Sequence, residues 1–140
     1  MANAQERRYP FLASILFYYL TAQSVRNFPV PEMVAYYLFV GTLMILILWA
    51  FLRILKLSAH LAGIGALTGL MIILSFTYHM ELLAIISFLL ILSGFLATAR
   101  LVLKAHTTRE IYLGFFTGIA CVVLVLGTNT FRLLIEMAMY

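Results

Sequence analysis

The sequence predicts an all-α integral membrane bundle of five transmembrane helices, and three observations lead there. Of the 140 residues, 65% are hydrophobic and 10% charged, with a mean hydropathy of +1.09; a soluble domain carries about 25% charged residues. Residues 9–25, 33–52, 57–80, 82–99 and 111–131 contain no Asp, Glu, Lys or Arg. Each run approaches or exceeds the roughly 17–25 residues that cross a hydrocarbon core. None alternates apolar and polar residues as a barrel strand does, and lipid admits only helices and closed barrels because it leaves open backbone groups unsatisfied.

The first helix is expected over 9–25 and ends before Pro29 and Pro31, which cannot continue it. The second, over 32–54, runs from that turn to the basic residues Arg53 and Lys56. The third, over 60–80, follows Leu57-Ser58-Ala59 and stops at the His79 to Glu81 turn. The fourth spans 82–104 and the fifth 107–131, divided by the polar stretch around Lys104 to Glu110. The connections are too short to hold an independent domain, so residues 1–140 read as a single membrane domain.

The first six residues lack the basic segment and small-residue cleavage site of a removable signal peptide, so the first helix is expected to remain. Cys121 is the single cysteine, which excludes an intrachain disulfide. Basic residues are scattered at helix ends instead of clustered, and no nucleic-acid partner is expected. No metal-ligand spacing is evident, and His79 with Glu81 reads as an interfacial turn. Gly65 and Gly69, like Gly114 and Gly118, stand four apart, the spacing that lets membrane helices approach closely. Trp49 and the tyrosines Tyr18, Tyr19, Tyr36, Tyr37 and Tyr140 fit interfacial belts or packing.

Loop parity groups the charges. With five spans, the N-terminus and the turns near residues 53–60 and 104–110 share one face, which collects Arg7, Arg8, Arg53, Lys56, Arg100, Lys104 and Arg109. The other face has Arg26 and Arg132, so the positive-inside rule makes the first cytoplasmic. His60 and His106 fall on that same cationic face. Two imidazoles among cations at headgroup depth suit a phosphorylated lipid, which calls for charge-assisted donors.

Three segments on this face carry a family resemblance. Ala99-Arg100, five residues, His106, three residues and Glu110, followed by Tyr112, Gly114 and Gly118, is similar to the third motif of the type 2 phosphatidic acid phosphatase superfamily. Leu57-Ser58-Ala59-His60 resembles its second motif and Arg8-Tyr9-Pro10 its first. The resemblance is to the short bacterial form and implies a bacterial inner-membrane location. It departs from the family at Leu57, Ala59, Ala99 and Glu110, where the motifs have Pro, Gly, Ser and Asp. The Lys of the first motif has no counterpart, and the family's six spans imply an N-terminal portion beyond the five read here.

The resemblance implies roles. His106 attacks phosphorus to form a phosphohistidine, Glu110 orients its ring, and His60 protonates the departing alcohol. Arg100, Arg8 and Ser58 hold the phosphoryl oxygens. No metal or other cofactor is implied. The expected activity is hydrolysis of a lipid phosphate or polyprenyl pyrophosphate. The alternative is a noncatalytic relative that serves as a structural or lipid-binding subunit beside other membrane proteins.

Overall fold

The computed structural model of the protein describes residues 8–29, 32–52 and 54–127. Five α-helices follow one another: α1 Arg8–Val25, α2 Glu32–Phe51, α3 Ala59–Tyr78, α4 Leu83–Val102 and α5 Thr108–Val122, the last continuing as a π turn over Val123–Gly127. No strand occurs among the described residues. The helices match the uncharged runs because a chain in lipid must satisfy each backbone donor within its own segment. The expected 128–131 end of the fifth helix lies outside the described residues, as do Arg7, Arg53 and Arg132.

Among the described residues, four segments are long and apolar enough to cross a membrane: Val34–Phe51, Ala59–Tyr78, Leu83–Val102 and Thr108–Gly127. That is the mark of an integral membrane protein. α1 is not among them, against the expectation of a transmembrane first helix over 9–25. Its 18 residues include Arg8, Ser14, Thr21, Gln23 and Ser24, which dilute its apolar side chains, and its Ser and Thr hydroxyls donate back to carbonyls one turn earlier.

The centre of the bundle is α2, α3 and α5. Val40, Ala66, Cys121, Val122 and Leu126 form one buried cluster, and Leu48, Leu57 and Ala62 form a second nearer the α2–α3 turn. α1 lies antiparallel against α2: the Tyr18 ring covers Gly41, Tyr19 meets Phe39 edge-on with ring centroids 6.0 Å apart, and Phe11 reaches the Leu48 cluster. α4 is peripheral, with Leu89 its single buried residue.

α3 and α5 run parallel at close range, and glycine makes this possible. A methyl group at Gly114 would sit 2.7 Å from the Ser58 carbonyl oxygen, and one at Gly69 would sit 3.3 Å from Ile119 Cα. At Gly65 it would collide with the Phe115 carbonyl and at Gly118 with the Ala62 carbonyl. Small residues at such crossings let the backbones touch, where dispersion contacts are densest. The two glycine pairs seen in the sequence thus face each other across one interface, and both helices begin at the same end of the bundle.

Candidate functional site

The site is built from two chain reversals at that end. α4 closes with a Schellman turn: Ala105 N–H donates to the Arg100 carbonyl at 3.0 Å and Lys104 N–H to the Leu101 carbonyl at 2.9 Å. Lys104 takes the left-handed conformation at φ 50° that this turn requires. The chain then passes His106 and enters α5 through a capping box at Thr107 and Glu110. Thr107 Oγ1 accepts from Glu110 N–H at 3.4 Å, and Glu110 Oε2 accepts from Thr107 N–H at 2.9 Å. Two orphan donors of the first turn are thereby satisfied.

The same carboxylate holds His106. Nδ1 of His106 lies 3.2 Å from Glu110 Oε2 and 2.9 Å from the Lys56 carbonyl oxygen. Both neighbours are acceptors, so Nδ1 carries the proton and shares it between them. The remaining ring nitrogen, Nε2, then has a free lone pair whenever the ring is neutral. The side chains are 5% exposed for His106 and 15% for Glu110.

The Lys56 contact fastens the α2–α3 turn to the α4–α5 turn, and Ser58 N–H, donating to the Glu110 carbonyl at 3.2 Å, fastens it again. Ser58 is the N-cap of α3, yet its hydroxyl makes no cap bond. It is fully buried, and its Oγ has no partner among the described residues. Gly114 lies against the Ser58 backbone, so the close helix approach seals this serine in.

The sequence-predicted residues divide into two groups. Hydrogen bonds bring His106, Glu110 and the Ser58 backbone together. Arg100, half-buried on the last turn of α4, stands at the same end but makes no hydrogen bond or ion pair to His106 or Glu110 among the described residues. His60 is exposed on the first turn of α3. Arg8 opens α1, and its side chain lies outside the described part; Phe11, one turn on, packs at the Leu57 end. Among the described residues no group of three His, Cys, Asp or Glu side chains is placed to hold a metal.

Two contributors went unread in the sequence. Thr107 had a visible signal, since Thr-x-x-Glu at 107–110 is the capping-box pattern. The Lys56 carbonyl had none, because a backbone acceptor leaves no trace in residue type.

The chain matches no known protein family, no curated protein and no solved structure.

Proposed function

We propose that the protein is an integral membrane phosphatase, related to the type 2 phosphatidic acid phosphatases, that hydrolyses a lipid phosphate or polyprenyl pyrophosphate through His106. One observation carries this reading: Nδ1 of His106 is held by Glu110 Oε2 at 3.2 Å and by the Lys56 carbonyl at 2.9 Å, which leaves Nε2 as a fixed nucleophile. A carboxylate on one ring nitrogen both sets the tautomer and stabilises the positive charge that develops on the ring during attack.

The step is a displacement at phosphorus. The Nε2 lone pair forms the N–P bond, the P–O bond to the lipid breaks, and His60 gives its proton to the departing oxygen. Water then attacks the phosphohistidine, and His60 takes the water's proton as the N–P bond breaks. Arg100 and Arg8 neutralise the phosphoryl oxygens, whose charge spreads in the transition state.

The bundle reads as five spans in a bacterial inner membrane. α1 lies along most of α2, from Phe11 beside Leu48 to Tyr18 on Gly41, and at 18 residues it is about 27 Å long, near the roughly 30 Å of the hydrocarbon core. Five crossings put Arg8, His60, Arg100 and His106 at one surface, the cytoplasmic one by charge.

A second reading, a noncatalytic structural or lipid-binding subunit, is favoured by the Ser58 hydroxyl, which is fully buried and so closed to a phosphate. Phosphate release from a panel of lipid phosphates by the purified protein in detergent separates the two. The enzyme releases phosphate from at least one member and loses that activity in His106→Ala. A folded protein that releases none is the subunit.

A further inference from the structure

One oxygen of Glu110 serves two donors. Oε2 accepts from Thr107 N–H at 2.9 Å, as the reciprocal half of the α5 capping box, and from His106 Nδ1 at 3.2 Å. His106 precedes the N-cap and stands outside the helix, so the carboxylate must fold back past the start of α5 to reach its ring. The Thr107 amide turns it back. A backbone N–H on a carboxylate makes a charge-assisted bond, roughly twice as strong as a neutral one, and this bond aims Oε2 at the ring.

Length decides whether the arrangement works. A capping box takes Glu or Gln at its third helical position, because the side chain has to span back to the N-cap N–H. Aspartate is shorter by one carbon–carbon bond, about 1.5 Å. The start of α5 is fixed by Ser58 N–H on the Glu110 carbonyl at 3.2 Å and by Gly114 against the Ser58 backbone. The helix therefore cannot slide to make up the missing length, and both Oε2 contacts pass beyond hydrogen-bond range. The His106 side chain is 5% exposed, so water does not replace the lost acceptor. The Lys56 carbonyl at 2.9 Å is left to hold the ring alone.

We infer that Thr107 is a positioning residue for His106, acting through Glu110, and that the site requires the length of glutamate as well as its charge. Thr107 N–H aims Oε2, Oε2 fixes the proton on Nδ1, and Nε2 keeps its lone pair. The orientation of the ring stands on these contacts alone; its use in turnover rests on the phosphatase reading. Glu110→Asp brings the chain closer to the phosphatase third motif and is nonetheless expected to disable it.

Two substitutions separate length from charge. Glu110→Gln keeps the reach and loses the charge, whereas Glu110→Asp keeps the charge and loses the reach. The readout is the tautomer of His106, taken from nitrogen-15 NMR of the full-length protein with labelled histidine in detergent, at a pH where the rings are neutral. Loss of signals in His106→Gln assigns them. A good acceptor on Nδ1 shifts the tautomer ratio by roughly tenfold or more. The unmodified protein and Glu110→Gln should carry the proton on Nδ1, and Glu110→Asp should give a mixture of tautomers. The Thr107 amide should exchange slowly with deuterium in the first two and quickly in the third. Phosphate release by Glu110→Asp should fall about 10²-fold, the scale of a misplacement of about 1 Å.

A proton kept on Nδ1 in Glu110→Asp overturns the inference, because nearby charge or the Lys56 carbonyl then suffices. Its loss from Nδ1 in folded Glu110→Gln also overturns it, and that arm decides the matter should Glu110→Asp misfold. Tautomers as expected in a protein that hydrolyses no lipid phosphate sustain the positioning and remove only the phosphatase reading.

Discussion

Gly118→Ala and Gly63→Ala are the same chemical change on two faces of one bundle, and the geometry predicts opposite outcomes. At Gly63 a new methyl meets nothing within 4 Å, so alanine should gain up to about 1 kcal/mol from its better helix propensity. At Gly118 the methyl collides with the Ala62 carbonyl oxygen and would stand 2.7 Å from the Ala66 nitrogen. These obstacles are backbone and cannot swing aside. α5 must therefore retreat from α3, and a gap of 0.5–1 Å already forfeits about a quarter to a half of each contact along the seam. Overpacking of this kind costs about 1–3 kcal/mol, and with backbone as the obstacle the upper part of that range applies. The two variants should thus differ by about 2–4 kcal/mol, a roughly 30–700-fold difference in folding equilibrium. Unfolding by SDS in mixed micelles, followed through Trp49, the single tryptophan, measures both. Gly63→Ala should unfold at the same or higher SDS than the unmodified protein, and Gly118→Ala at clearly lower. Equal midpoints would refute the backbone-contact account of the α3–α5 seam.

Thr107→Ala removes one half of the capping box, and since its bond to Glu110 N–H is long at 3.4 Å the loss should be small, about 0.5 kcal/mol, read as a slight drop in the SDS midpoint. Glu110→Gln keeps a cap acceptor but takes the negative charge from His106; phosphate release should fall while the midpoint moves little. His106→Ala should abolish release from every substrate. His60→Ala should slow a lipid phosphate by about 10²–10⁴-fold and spare an activated aryl phosphate, whose leaving group needs no proton; equal damage to both substrates would remove its acid role. Cysteines placed at Tyr9 and Lys104 should react with an impermeant thiol reagent from one side of sealed vesicles and a cysteine at Arg26 from the other, whereas Tyr9 and Arg26 on one side would mean that α1 does not cross.

What was legible in the sequence was what one segment decides alone. Uncharged runs become helices in lipid because no other partner exists for their backbone, so all five helices fall where the runs do. Gly65, Gly69, Gly114 and Gly118 announced a close crossing, since that spacing puts small residues on one face. His106 and Glu110 do meet, but not as two positions of one helical face: His106 precedes the Thr107 N-cap of α5, and the capping box turns the Glu110 carboxylate back toward its ring. The losses come from contacts between segments. That Lys56 offers its carbonyl to His106, or that Ser58 is sealed by Gly114, depends on how the α2–α3 turn meets the α4–α5 turn. No local pattern encodes that meeting.

The central claim is that Nε2 of His106 takes the phosphoryl group. The direct measurement is to stop the reaction with a radiolabelled lipid phosphate in alkali, where a phosphorus–nitrogen bond survives, and to map the modified peptide by mass spectrometry. Phosphate on Nε2 of His106, absent in His106→Ala and weakened in Glu110→Gln, is the result the geometry predicts. No label on the protein, or label on His60, would contradict it.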